Sequence, residues 1–247
     1  MKPIHFLSFF FIFLQILYAK NPIPSPTFDD ILKEIIKNDS YIFDNENVKI
    51  KVPNFADNPV QVPIFVNAKN IKNAKRMILF ADLNPTAEII DMDLKNILPL
   101  VSLNIKVAQE TPIRALVLDE NNVWHIGSKN IKSFGGGCSV ASVSSSNTDF
   151  SNLLGKIKIE VFEVEDNIYR IKSSIFHPME TGLIFGNPEF YINKIEIKQG
   201  KNIFSSMNIF SSVSENPRFI FELKNKVDNL NIEFIDNDGN NYKADIK

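Results

Sequence analysis

Residues 60–66 read Val60-Gln61-Val62-Pro63-Ile64-Phe65-Val66, with an aliphatic side chain at every second position. Successive side chains of an extended chain point to opposite faces, so Val60, Val62, Ile64 and Val66 share one face of a strand, whereas a helix would scatter them. The same period spreads outward: Val48-Ile50-Val52 precedes it, and Met77-Leu79-Ala81, Ile89 to Leu94, Leu103-Ile105-Val107, Ile113 to Leu118 and Val123 to Ile126 follow. Asn58-Pro59, Asn84-Pro85, Thr111-Pro112 and Asn121-Asn122 punctuate these runs as turns. Short strands at this spacing predict an antiparallel β-sandwich.

A second block of the same character begins at Leu153. Ile157-Ile159-Val161, Ile168 to Ile175, Phe190-Ile192, Ile195-Ile197, Phe219-Phe221-Leu223 and Ile232-Phe234 supply its strands, and Asp238-Gly239 marks a hairpin turn. The fold class expected is therefore all-β, two sandwiches of roughly 100 residues each. One helix precedes them: Phe28, Ile31, Leu32, Ile35 and Ile36 recur at helical spacing, Thr27 is placed to cap, and Asp29 and Asp30 favour the first turn.

Composition narrows the function. The 247-residue chain carries a net charge of -2 and 44% hydrophobic residues, enough apolar content for ordinary cores and no basic surplus that would mark a nucleic-acid binder. Residues 1–19 read as a secretory signal: Lys2, then an almost wholly apolar run from Phe6 to Leu17, then Ala19. That run falls short of the ~20 residues that span a bilayer, so export with cleavage, and no membrane association afterwards, is the expectation.

In an exported chain, a lone cysteine points to a reactive thiol or an intermolecular bond, such as a disulfide dimer through Cys138. The alternative is a buried cysteine serving as a small hydrophobe. Cys138 stands in Ser133 to Ser151, SFGGGCSVASVSSSNTDFS, which holds three of the chain's nine glycines. Such composition behaves as a flexible linker, so residues 133–151 are expected to be an arm between domains 27–132 and 152–247. Gly135, Gly136, Gly137 and Ser139 keep the thiol's flanks small, and the arm reaches at most ~18 Å from Ser133 to Cys138. Lys132, six positions upstream, is the nearest basic residue in sequence, so nothing local activates the thiolate. That favours a carrier acted on by partners over an enzyme.

Other chemistries lack parts. His125 and His177 are the histidines beyond the signal, and with one cysteine they give no metal-ligand spacing, so neither metal nor cofactor is expected. The segment His177-Pro178-Met179-Glu180-Thr181-Gly182 reads first as a structured turn, and second as a place where His177 and Glu180 contact a partner. Asp236 to Gly239 has its glycine too early for a calcium loop and reads as the hairpin turn.

These residues resemble the SoxY and SoxZ subunits of the periplasmic sulfur-oxidation carrier, fused in one chain. Gly135-Gly136-Gly137-Cys138-Ser139 is similar to the SoxY swinging arm, and Val62-Pro63 and Asn84-Pro85 fall as in the SoxY sandwich. His177 to Gly182, HPMETG, resembles a SoxZ signature, with Asn216-Pro217, Phe219 and the Asp236 turn in SoxZ-like order. The resemblance implies immunoglobulin-like sandwiches and a Cys138 that carries sulfur intermediates covalently in the periplasm. Catalysis would belong to separate sulfur-oxidation enzymes or, as in fused carriers of this kind, to an associated quinoprotein dehydrogenase. A non-covalent accessory module for such a dehydrogenase is the other reading. The arm departs from the family in having Ser139-Val140 after the cysteine and in continuing into a second domain.

Overall fold

The computed structural model describes residues 20–247 apart from 147 and 226; the expected signal at 1–19 lies outside the described residues. The first half comprises helix α1 (Phe28–Ile36) and strands β1 (Tyr41–Phe43), β2 (Lys49–Lys51), β3 (Val62–Asn67), β4 (Arg76–Ala81), β5 (Glu88–Asp93), β6 (Ile97–Ile105), β7 (Thr111–Leu118) and β8 (Trp124–Ile131). The second half comprises β9 (Ile157–Glu165), β10 (Ile168–Ile175), β11 (Glu180–Thr181), β12 (Glu189–Phe190), β13 (Ile192–Gln199), β14 (Asn202–Ile209), β15 (Arg218–Leu223), β16 (Leu230–Asp236) and β17 (Asn241–Ile246). A four-residue helical turn, Phe150–Leu153, precedes β9.

The alternation dictates which faces are buried. In β3, Val62, Ile64 and Val66 point into the core while Pro63 lies outward. Strand β4 is apolar on both faces because both are covered. Met77 and Leu79 face the sandwich interior, whereas Ile78 and Phe80 pack against Phe28, Leu32 and Ile36 of α1. Burying three such helix side chains contributes roughly 6 kcal/mol before the entropy of ordering the helix is subtracted. Thr27 stands at the N-cap position without capping through its side chain; its hydroxyl donates instead to Asp82 O at 2.6 Å, fastening the helix to the β4–β5 turn. Beneath that turn Arg114 and Asp82 form a fully buried ion pair (Nη2 to Oδ2, 2.8 Å), and Arg114 Nη1 also donates to Ser128 Oγ at 2.8 Å.

The two sandwiches do not stand apart. Strand β5 pairs antiparallel with β14, setting Met92 opposite Met207, and β6 pairs with β15, setting Val101 opposite Phe221. One continuous sheet therefore runs β1-β8-β7-β4-β5-β14-β13-β16-β17, and the facing one runs β2-β3-β6-β15-β10-β9. A single apolar cluster holds buried residues from both halves, including Val101, Phe221, Ile197 and Phe234. The pairing is antiparallel throughout these sheets except for β1, which lies parallel to β8. At the end of β6, Ser214 N donates to Asn104 O (3.0 Å), and just past it Lys106 N donates to Ser212 O (2.8 Å); on this seam the arm is laid.

Candidate functional site

The glycines of the arm do something other than confer looseness. Gly135 and Gly136 have φ of +88° and +86°, a region that side chains with a Cβ avoid. Gly136 N donates to Ala108 O and Gly137 N to Val107 O, each at 3.0 Å. A Cβ on Gly137 would sit 2.0 Å from Pro59 O and 2.7 Å from Val107 O, both backbone atoms that cannot swing away. The narrow channel these glycines fit is one in the protein's own first half.

This approach delivers Cys138 into the seam between the halves. It lies in a short turn of 3-10 helix, Gly137–Ser139, and is 2% exposed. Its carbonyl accepts from Thr181 Oγ1 at 2.9 Å. The expectation of a thiol held out on an arm is thus corrected for this arrangement: backbone hydrogen bonds and the fit of Gly137 dock the segment, leaving the sulfur inside. Burial pushes the thiol up to about 11, against a counter-pull from a cation that sequence distance hid, Lys106. Lys106 is 5% exposed, and its ammonium donates to Met179 O and to Ser211 O. Burial pushes it down to about 8, opposed by Cys138, Glu180 and Glu215. The thiol is therefore protonated and shielded at neutral pH, a poor nucleophile while docked.

Downstream, the second half clasps the arm with two carboxylates. Glu180 Oε1 accepts from Ser142 N (3.1 Å) and Ser145 Oγ (2.8 Å). Glu215 Oε2 accepts from the Ser142 hydroxyl, from Ser144 N (3.1 Å) and from Ser144 Oγ (3.2 Å). Asn216, itself at φ +49°, donates from Nδ2 to Ser144 Oγ at 2.7 Å. The serines that read as linker composition are the teeth of this clasp. Around them Phe134 and Val140 remain exposed.

The 177–182 segment is the frame of the site. His177 is fully buried; its Nδ1 accepts from Met179 N at 3.2 Å, its ring lies 4.4 Å from that of Phe190, and Nε2 stands 3.7 Å from Asp236 Oδ2. Burial pushes His177 down to about 4, outweighing Asp236. Met179 takes φ +52°, turning its carbonyl onto Lys106, and Gly182 at φ +72° ends the turn. His177 and Glu180 thus face inward, and neither offers itself to a partner here; their work is to shape the segment and hold the arm. The Asp236 turn is the hairpin expected, with Asp236 Oδ1 accepting from Asn240 N at 2.8 Å. His125 is spent elsewhere, on Asp44 (2.7 Å) and Asp119 (3.5 Å). Among the described residues no cluster of His, Cys, Asp and Glu is placed to hold a metal, and no helix is long and apolar enough to cross a membrane. An open cleft of about 900 Å³ lies at the far end of the second half, between Val161, Tyr169, Leu230 and Ile246, and no arm residue lines it.

Sequence reasoning found Cys138, the glycines and the 177–182 motif. It missed Lys106, Glu215 and Asn216 as members of one site. A sole lysine between Ile105 and Val107 in an apolar run was the available signal for Lys106; for Glu215 none exists short of the fold.

Comparison with known proteins gives a match in each half. Residues 32–138 match the family of the sulfur oxidation protein SoxY, the match running up to Cys138 itself, and residues 158–247 match that of the sulphur oxidation protein SoxZ. Among solved structures, the sulfur carrier protein SoxY from Chlorobium limicola f thiosulfatophilum aligns at 20% identity and TM-score 0.38, over 43% of this chain and 96% of its own. A structure concerning the receptor tyrosine kinase Torso aligns at 12% identity and TM-score 0.26, over 92% of each chain. No curated protein sequence matches.

Proposed function

This chain belongs to the SoxY and SoxZ families of sulfur-oxidation carriers, fused as two immunoglobulin-like halves, and we propose that it holds its sulfur cargo covalently on Cys138. The observation that carries the reading is the setting of the chain's one cysteine. Cys138 ends the SoxY-like half, follows three glycines whose dihedrals and contacts fix its path, and lies across the SoxZ-like half. Export and maturation to the periplasm, on the strength of residues 1–19, belong to the same proposal.

The docked thiol is the resting form. Its 2% exposure leaves no approach for a reagent, so loading requires the arm to leave the seam. Outside, the thiol regains an ordinary acidity near 8.5 and supplies thiolate. Joining it to thiosulfate as a thiosulfonate releases one proton and two electrons, which pass to a redox-active partner. Partners of that class are periplasmic sulfur-oxidation enzymes or a quinoprotein dehydrogenase. A disulfide between two copies also needs the arm released.

Intact-mass analysis of protein isolated from cells without reductant tests the proposal. The expected result is a sulfur-containing adduct on wild-type chain and none on Cys138→Ser. Unmodified Cys138 after incubation with thiosulfate and the partner enzymes overturns it. The burial of Cys138 favours one second reading, a non-covalent accessory module; Cys138→Ser would then retain full partner function.

A further inference from the structure

We infer that residues 21–23 are a captured strap, the peptide ligand of the buried Arg114 guanidinium, and that processing of the exported chain therefore cuts on the N-terminal side of Asn21. The cut rests on the export reading, whereas the strap stands on the fold alone.

Arg114 is fully buried, and a guanidinium carries five N–H groups and no acceptor. Each must find an oxygen, because a charged donor buried without a partner is costly. The β4–β8 region meets part of that demand. Asp82 takes Nε (3.1 Å to Oδ1) and one N–H of Nη2 (2.8 Å to Oδ2), and Ser128 Oγ takes one N–H of Nη1 at 2.8 Å. The remaining two are met by the N-terminal segment: Nη1 donates to Asn21 Oδ1 at 3.1 Å, and Nη2 donates to the carbonyl of Ile23. Among the described residues, no other acceptor serves these two N–H groups.

The local sequence suits this path. Asn21 Oδ1 also accepts from Ile23 N at 3.0 Å, a turn that brings the Ile23 carbonyl round to the guanidinium. Pro22, Pro24 and Pro26 alternate with Ile23 and Ser25. Each proline fixes its own φ and has no N–H to leave unpaired, so the strap loses little freedom on docking. The anchoring continues beyond it: Thr27 Oγ1 donates to Asp82 O at 2.6 Å, and the Phe28 ring centroid lies 4.5 Å from Arg114 Cζ. Strap, cap position and first helical residue thus converge on one buried ion pair. A cut beyond Asn21 removes the Nη1 acceptor, and one beyond Ile23 removes both. A cut after Ala19 or Lys20 keeps them.

Urea unfolding of leaderless chains tests the strap. A chain beginning at Pro24 should unfold with an equilibrium constant at least about tenfold larger than one beginning at Lys20, as expected for the loss of charge-assisted hydrogen bonds. Where Arg114→Met and Asp82→Leu remove the buried pair together, the same truncation should cost less than about threefold. Equal costs in both backgrounds, or none in the first, overturn the inference, since a strap acting only through its apolar surface is indifferent to the pair. If the double variant does not fold, Asn21→Ala and Asn21→Asp take its place. Aspartate keeps the acceptor and should stay near wild type, alanine should lose about fivefold, and equal values refute the strap. Intact mass of protein isolated from cells reads the cut: the chain should begin at Lys20 or Asn21. A start at Pro22 or beyond, or a chain that keeps residues 1–19, overturns it. Neither measurement depends on the state of Cys138, so the strap can fail while the sulfur adduct is found, and the reverse.

Discussion

Adding one methyl group at Gly137 should free the thiol. The φ of Gly137 lies outside the left-handed region, so alanine there meets no dihedral strain of its own; the obstacle is contact. Its Cβ would stand 2.0 Å from Pro59 O, 2.6 Å from Pro59 C and 2.7 Å from Val107 O. Pro59 O already accepts from Val107 N at 2.8 Å, so neither backbone can yield without giving up that bond. The segment must lift, losing the Gly136–Ala108, Gly137–Val107 and Thr181–Cys138 hydrogen bonds. At about 1 kcal/mol each, that weakens docking by about 3 kcal/mol. A buried thiol alkylates only through the open form, and 1.4 kcal/mol is a tenfold change in an equilibrium, so iodoacetamide should label Gly137→Ala about 100-fold faster than wild type. The assay is labelling rate by intact mass at pH 7.5, with thermal unfolding as the check that the sandwiches persist. The reasoning is refuted if wild-type Cys138 already reacts at the rate of the urea-unfolded chain, or if the variant, still folded, reacts no faster.

Other outcomes follow from the same structure. Glu215→Ala removes the acceptor of Ser142 and Ser144, and charge-assisted bonds of this kind are worth about 1.5–3 kcal/mol, so labelling of Cys138 should quicken by at least tenfold with little change in Tm. Asp82→Ala strands the buried Arg114 guanidinium and should cost about 3–5 kcal/mol in urea unfolding, whereas replacing an exposed carboxylate such as Glu160 should cost almost nothing. Stability should fall as pH drops from about 6.5 to 4, where only the unfolded chain protonates His177, by at most about 3 kcal/mol; Glu233, held near 2 by Lys198, extends the loss below pH 4.5. His177→Asn, measured against wild type at pH 7 and 4.5, should lack the first part of that fall. From pH 9 to 11 Cys138 contributes a loss of stability, because its folded acidity near 11 means the unfolded chain ionises first; Lys106, held near 8, opposes that loss up to about pH 10.5, and Cys138→Ser should remove the Cys138 contribution alone.

Much of the fold was legible in the alternation. The runs at 77–81, 113–118 and 232–234 fall inside β4, β7 and β16, and the run at 60–66 falls inside β3 from Val62 onward, because strands with one face in a core must repeat with period two. Strand β14 escaped notice: its buried positions are Ser205, Met207 and Ile209, with Ser206 and Asn208 between, so the apolar signal is diluted. That strand and β15 are the second-half strands that join the halves, a pairing that alternation within each strand does not reveal, so the two sandwiches read from the sequence share continuous sheets. The site was half legible. A lone cysteine after three glycines is conspicuous in any reading, yet composition cannot say whether glycine serves motion or close approach. Here the left-handed dihedrals of Gly135 and Gly136 and the crowding at Gly137 decide for close approach. Lys106 and Glu215 lie 32 and 77 positions from Cys138, distances that only the seam between halves closes.

The edge-to-edge union of the two halves makes the peptide between them dispensable as a fastener. Separated, each half would expose unpaired strand edges at β5 and β6 or at β14 and β15, a template for indiscriminate pairing; together each supplies the other's missing neighbour. The intervening chain raises the effective concentration at which the halves first meet, and adds little once they have met. A nick between Val143 and Phe150 should therefore yield a two-chain particle of unchanged shape. In that particle Cys138 would ride near a free chain end, a tethered loop turned into a tail.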